Sequence, residues 1–366
     1  MSTLKVANIE SQSGGGVSAK ISDVGGGQLS NRNLIINGAM QVAQRGTSST
    51  STGYYSIDRW KTEGSGGTIT QSQHTLSSTD DPYSKGFRSS FHLNVDSAGS
   101  DTAADFLYLA QYIEAQYIAQ SGWNYTSSSS YITLSFNVKS SLAGTYYVYL
   151  RALDATNRAY VKAFTLTADT WSEVTCTVPG DSTLVFNDDN GAGLELSIRP
   201  YVGTNYSDSG VSTGVWFTRS ATSQTPDYGQ NFVGTVSATF EITGVQLEVG
   251  DFATTFEHRN YGDEFARCQR YFQAFSTQGL HGRGSSSSST VYDVPIVCEM
   301  RELPSVESLS IGAQRRYDNT AASGAGSGSV GTMKGGTASM DITGLSSVTD
   351  NYSIWLAGSW NFDAEL

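Results

Sequence analysis

At 366 residues the chain is long enough for about two domains. Its formal net charge is −12, and no Lys/Arg cluster offsets that deficit, since Arg315 and Arg316 form an isolated pair. Phosphate-backbone binding needs a cationic surplus, so nucleic acid and anionic membrane surfaces are excluded as main partners.

Residues 1–33 form a separate zone. Short strands are expected at residues 4–9 and 17–21, set off by the glycine runs 14–16 and 25–27. Two such pieces cannot bury a core of their own. They call for another copy of the chain or a larger assembly, so residues 1–33 read either as a floppy tail or as an attachment or oligomerisation segment.

Residues 34–258 read as one all-β domain. Strands are expected at 68–75, 87–95, 131–138, 145–151, 160–166, 171–178, 194–202, 215–219 and 238–249. Alternating apolar and polar residues at this spacing predict a β-sandwich. Residues 105–120 carry both periodicities. Leu109, Tyr112, Ile113 and Gln116 suit a helix, whereas Phe106, Tyr108, Ala110 and Tyr112 suit a strand. A strand to Glu114, then a helical turn ending at Gly122, is the expected outcome.

Residues 259–275 form a connector, with a short helix over 261–273. Asn260 caps it, Asp263 and Glu264 suit its positive end, and Arg267 and Arg270 lie nearer the negative end. Phe265, Cys268 and Phe272 make an apolar stripe that seals a domain junction. Residues 276–366 read as a small C-terminal β domain with strands at 291–298, 304–311 and 351–362. Pro295 places the first of these at an edge or bulge. The Gly/Ser stretches 285–289 and 321–336 are expected to be mobile loops.

The aromatics, 20 Tyr, 15 Phe and 6 Trp, are enough to build a core. The four histidines show no HxxxH or HExxH spacing, and no nucleophile elbow or phosphate loop occurs. No catalytic residue, metal ligand or cofactor is therefore expected. Cys176, Cys268 and Cys298 are too widely spaced for a disulfide framework or zinc site and read as buried thiols from a reducing cytoplasm. No secretory signal and no membrane-spanning apolar run is visible. The acid pairs Asp80-Asp81 and Asp188-Asp189 suit turns, although glycosidase carboxylates or, with Asn190, a calcium site are open readings.

Sugars stack their C–H faces on aromatic rings. Trp123 with Tyr125, Tyr201 with Tyr206, and Trp216 are the platforms considered, with Trp355 and Trp360 in the smaller domain. Each is weighed against a place in the core. The ligand-binding set chosen is Trp123, Tyr201, Tyr206 and Trp216.

Several runs are also familiar as wording. They include Asn33-Leu34-Ile35-Ile36-Asn37-Gly38-Ala39-Met40, Gln44-Arg45-Gly46 and Asp58-Arg59-Trp60. Later come Gln111-Tyr112-Ile113-Glu114, Gly244-Val245-Gln246-Leu247-Glu248-Val249-Gly250, Cys268-Gln269-Arg270-Tyr271, Met300-Arg301 and the final Asp363-Ala364-Glu365-Leu366. Together they resemble bacteriophage virion proteins, mostly tail fibres with a carbohydrate-binding-module-like jelly roll. The resemblance covers about residues 34–366. It implies a non-enzymatic structural protein made in the host cytoplasm and carried on the virion. The implied form is a homotrimeric tail fibre that docks to other virion proteins through residues 1–33 and adsorbs to host surface glycan. A capsid decoration or head fibre is the alternative. A depolymerase spike fits less well, because the chain lacks long repetitive strand arrays. Related jelly rolls often place a calcium-binding acid in the last strand. The matching Ile242-Thr243-Gly244-Val245 contains none.

Overall fold

The computed structural model describes residues 8–9, 19–20, 31–100, 103–154, 157–286, 288–316, 321–322, 326–345, 348 and 353–366, with 8–9, 19–20, 277–279, 311–316, 321–322 and 355 described by backbone alone. A short pair opens the chain, β1 (Asn8–Ile9) with β2 (Ala19–Lys20). The other residues of the two N-terminal strands expected from sequence lie outside the described set.

There follow β3 (Ser48–Ser49), β4 (Lys61–Ser65), β5 (Thr68–Thr75), α1 (Asp81–Ser84), β6 (Ser89–Ser97), β7 (Phe106–Glu114), α2 (Ala115–Ala119) and β8 (Tyr131–Ser140). Next come β9 (Gly144–Ala152), β10 (Arg158–Leu166), β11 (Ser172–Pro179), β12 (Ala192–Val202), β13 (Trp216–Thr218) and β14 (Thr239–Val249). Helix α3 (Tyr261–Gln269) leads into β15 (Phe272–Ser286), β16 (Ser289–Pro295), β17 (Ser305–Arg316), β18 (Ala321–Ala322), β19 (Ser327–Lys334), β20 (Thr337–Thr343) and β21 (Ser353–Asp363). The chain divides into two units. The first comprises Met1–Gln41, Ser48–Tyr55 and Trp60–His258, and the second Val42–Thr47, Ser56–Arg59 and Arg259–Leu366.

The first unit is an all-β jelly-roll sandwich of two antiparallel six-stranded sheets. One runs β11-β8-β14-β6-β5-β3 and the other β13-β10-β9-β12-β7-β4. Period-two patterning fills the space between them. Ile132, Leu134, Phe136 and Val138 of β8 are buried, as are Tyr146, Val148 and Leu150 of β9. Tyr146 stacks near Phe164 at 5.9 Å and meets Phe240 at 5.6 Å. Each large apolar side chain so buried stabilises the fold by about 1.5–3 kcal/mol. The ambiguous stretch resolves as β7 followed by α2, with Gly122 beyond it in a left-handed conformation (φ 86°).

On the outer face of the first sheet, charged groups tie neighbouring strands. Glu241 is buried and accepts from His74 Nδ1 at 3.1 Å and Ser90 Oγ at 2.9 Å, with Lys139 Nζ at 3.0 Å. Burial alone would raise the Asp80 carboxyl. The Trp171 indole N–H at 2.8 Å, donors from Ser77 and the Lys139 charge instead hold it down to about 2. The stability so contributed is present above the unfolded value, 3.8, and is lost as pH falls toward about 2. Trp171→Phe removes the indole donor, so its acid-unfolding midpoint is expected at higher pH than that of the parent. Circular dichroism against pH reads this, and an unmoved midpoint refutes it.

The second unit is one antiparallel sheet in the order β18-β17-β21-β15-β16-β20-β19. It curls until Gly328 of β19 abuts Val306 and Leu309 of β17. Tyr292, Met340, Ile342, Leu356, Trp360 and Phe362 are at the centre of its core. Asn260 caps α3 by accepting from the Asp263 N–H at 2.9 Å.

Four expectations for this unit need correction. The helix stops at Gln269 rather than 273, because Phe272 opens β15 and pairs with Asp363. Pairing over a whole strand outweighs two residues of helical period. Pro295 ends β16, which lies inside the sheet between β15 and β20 rather than at an edge. The 285–289 stretch contributes to the ends of β15 and β16, which pair as a hairpin. Much of the 321–336 stretch is strand β19, turning into β20 through Gly335 (φ 58°) and Gly336 (φ 80°). Two glycines at positive φ form a two-residue hairpin turn.

Candidate functional site

The second sheet of the first unit is unusual in being aromatic on both faces. Tyr146, Val148 and Leu150 of β9 face the core, so Tyr147, Tyr149 and Arg151 face outward. Strand register extends that outer face. Arg151 lies opposite Glu195 of β12, and Glu195 opposite Tyr112 of β7. Tyr149 lies opposite Ser197, then Ala110, then Lys61 of β4. Tyr108 lies opposite Glu63. Ala159, Val161 and Ala163 of β10 continue the face with small side chains.

Arg199 is the hub. It is 2% exposed, and its guanidinium carbon sits 3.7 Å from the Tyr149 ring centre and 4.7 Å from that of Tyr108. It donates to Ser197 Oγ at 3.1 Å, Gln224 Oε1 at 2.8 Å and Glu195 Oε1 at 3.4 Å. Tyr228 covers one side of the face. Its ring meets Tyr147 edge-on at 4.9 Å, and its hydroxyl donates to the Arg199 carbonyl at 3.1 Å.

Toward β4 the face is more open. Tyr108 and Tyr112 are half-buried, and Phe106 and Tyr206 extend the aromatic line. Lys61 lies 5.8 Å from the Tyr112 ring centre and 5.9 Å from that of Tyr54, and its ammonium pairs with Glu63 at 2.5 Å. Burial pushes the Tyr108 phenol up to about 12. Burial, with Glu195 adding to it, also raises Tyr112. Both stay neutral near pH 7, able to donate and accept. Half-buried rings beside fixed Arg, Lys, Glu and Tyr groups match the two sides of a sugar, apolar C–H surface and hydroxyl edge.

Of the four platform residues expected from sequence, two meet this face. Tyr201 lies 5.7 Å from Tyr228, and Tyr206 packs edge-on to Phe106 at 5.5 Å. Both are half-buried. The other two are corrected to the interior. Trp123 is 3% exposed, packed against Tyr125 and Phe186, and donates to the Ser130 carbonyl at 3.3 Å. Trp216 is 8% exposed and donates to the Pro179 carbonyl at 2.7 Å. Neither ring has a face left for a ligand. In the second unit, Trp360 is also buried, stacked on Phe275. The side chain of Trp355 lies outside the described residues.

The acids of the two pairs take different places, Asp80 accepting from Ser77 and Trp171 and Asp81 opening α1. Asp189 accepts from the Gly191 N–H at 2.9 Å, and Asp188 from Gln120 Nε2 at 2.6 Å. Among the described residues, no group of three or more His, Cys, Asp or Glu is placed to hold a metal ion, and no helix is long and apolar enough to cross a membrane. Sequence reasoning missed Tyr108, Tyr112, Tyr147, Tyr149 and Arg199. The available signal was parity. In β7, Leu107, Leu109 and Ile113 already supply the core side, so Phe106, Tyr108 and Tyr112 load the opposite one.

No protein-family model matches the chain, and no curated protein matches it. Solved structures similar to it include the enzymatically active domain of tailspike protein 4 from bacteriophage CBA120 (TM-score 0.33, 15% identity, 60% of this chain and 21% of that one). Another is the xylan-binding domain from Paenibacillus barcinonensis (TM-score 0.30, 10% identity, 62% and 98%). A third is a cyclase from Fischerella sp. (TM-score 0.30, 11% identity, 63% and 98%). The chain spans about a fifth of the tailspike's length. The fold rests on the strand pairing described above.

Proposed function

We propose that the chain is a non-catalytic bacteriophage virion protein, a homotrimeric tail fibre that attaches to host surface glycan through the tyrosine face. The observation that carries glycan attachment is the half-buried Tyr108–Tyr112 line beside Lys61, Glu63 and Glu195. The virion assignment is supported by the sequence resemblance running from Asn33 to Leu366. Residues 1–33 are the docking segment toward other virion proteins. Weak sites multiplied over copies give firm adsorption, since linked sites gain about 10²–10⁴ over single ones.

The double variant Tyr108→Ala/Tyr112→Ala is expected to lose at least about tenfold in affinity for host polysaccharide, as removal of aromatic anchors does. Its thermal midpoint should fall only modestly, because both rings are partly in water. Retention on immobilised host polysaccharide is the assay. Undiminished retention removes this face from the proposal. Mass by light scattering tests the trimer, and labelled antibody on intact particles separates tail from head.

A further inference from the structure

The tyrosine face holds more positive charge than its own pairing uses. Four charged groups act on the Tyr149 hydroxyl: Arg199, Glu195, Arg219 and Arg151. Three are cations and one is an acid. Tyr149 is fully buried, and its hydroxyl has no hydrogen-bond partner among the described residues. Glu195 is committed mainly to Arg199 at 3.4 Å and reaches Arg151 only at 3.7 Å. Among the described residues, no ion pair joins Arg219 to an acid. Among the described residues no side chain bonds its guanidinium, and its Nε is buried without a partner.

Backbone pairing brings the two under-used arginines together. The Arg219 N–H donates to the Asn157 carbonyl at 2.8 Å, and Arg151 Nε donates to Asn157 Oδ1 at 2.8 Å. Both are half-buried. The other charges nearby are Lys61, Glu63 and the Asp227 carboxylate. Lys61 pairs with Glu63, and the Asp227 carboxylate accepts from Ser207 at 2.7 Å. In a chain of net charge −12, Arg219 is a half-buried cation beside an aromatic face, with no ion pair among the described residues.

We infer that the ligand of this face is an acidic saccharide whose carboxylate or sulfate is received between Arg151 and Arg219, beside the tyrosine line. A planar guanidinium presents two parallel N–H donors that match either anion. The inference rests on glycan binding at this face and adds the class of glycan.

The test uses the full chain and two sets of polymers, neutral (dextran, xylan, galactomannan) and acidic (polygalacturonate, dextran sulfate), titrated at low and high salt. Acidic polymers are expected to bind at least about tenfold more tightly, with affinity falling as salt rises. Polygalacturonate against dextran sulfate tells which anion is preferred. Arg219→Gln is expected to remove about tenfold of the acidic affinity. It should leave the thermal midpoint unchanged, because no partner is lost. Lys162→Gln, a charge loss at an exposed position on β10, is expected to change nothing. Neutral polymers binding as well as acidic ones, or an Arg219→Gln variant with parent affinity, overturns the inference and leaves glycan binding standing. Failure of every polymer overturns both.

Discussion

Arg59→Ala is expected to destabilise the second unit selectively, by about 3–5 kcal/mol. Arg59 is 1% exposed, and its guanidinium pairs with the Glu365 carboxylate and lies 3.5 Å from the Tyr271 ring centre. The neighbouring Arg45 pairs with Asp363 at 2.6 Å and Glu365 at 3.3 Å, and covers the Phe272 ring at 3.7 Å. Arg301 donates to the carbonyls of Ala364 at 2.8 Å and Glu365 at 3.1 Å. Truncation at position 59 leaves the Glu365 carboxylate, 5% exposed, short of one of its two cations. It also uncovers Tyr271, where a desolvated cation–π contact is worth about 2 kcal/mol.

Single domains are stable by only about 5–15 kcal/mol in total, so this loss takes a large share of the margin. Two thermal transitions are expected in the variant, one for each unit, with only the lower one displaced. Arg59→Lys should recover little, because an ammonium cannot lie flat on Tyr271 while meeting the carboxylate. Adding Glu365→Gln to Arg59→Ala should restore part of the loss by removing the stranded charge, and a double-mutant cycle measures the coupling. Equal displacement of both transitions would contradict a role confined to the second unit.

The position of Arg59 also shows what a sequence can and cannot disclose. Strands such as β8 and β9 were legible because alternation is a local property, read within ten residues. So was the turn from β7 into α2, where Glu114 ends one period and Gly122 ends the next. β4, Lys-Thr-Glu-Gly-Ser, was missed because an edge strand with one buried side, Thr62, has almost no apolar signal. The Arg45 and Arg59 runs were visible as wording, but their partners lie about three hundred residues away, and no periodicity encodes such pairs. The binding face was hidden for a different reason. Its tyrosines sit within good strand patterns and look like core, whereas loop-flanking Trp123 and Trp216 look exposed. Ring size decided otherwise: the two indoles fill the interior, each with one N–H satisfied by a carbonyl.

Gly38→Ala is expected to destabilise the first unit by about 3 kcal/mol or more. A Cβ at Gly38 would lie 2.1 Å from the Val245 carbonyl oxygen, a distance no structure tolerates. Neither side can retreat. The Val245 N–H donates to the Gly38 carbonyl at 2.9 Å, and the Val245 carbonyl accepts from Asn33 Nδ2 at 3.1 Å. The Asn33 Oδ1 accepts from the N–H groups of Ile35 and Leu247, each at 3.0 Å. From the other sheet, Gln111 of β7 bonds both backbone groups of Ile36, at 2.9 and 2.8 Å. On the β14 side the chain is already bent at Gly244 (φ 65°), where a Cβ would meet the Phe87 ring at 2.5 Å. The segment is therefore pinned to both layers, and moving it by the required ångström breaks buried hydrogen bonds whose unmet groups cost about 1–3 kcal/mol each. Gly229→Ala is the matched control, since nothing lies within 4 Å of its added Cβ and its φ is not in the left-handed range. That change should be neutral or stabilise by up to about 1 kcal/mol through the unfolded chain. Denaturant midpoints for the two variants decide the matter: if they coincide, the glycine of Asn37-Gly38 is not a packing requirement, and the close approach to β14 does not govern the stability of the sandwich.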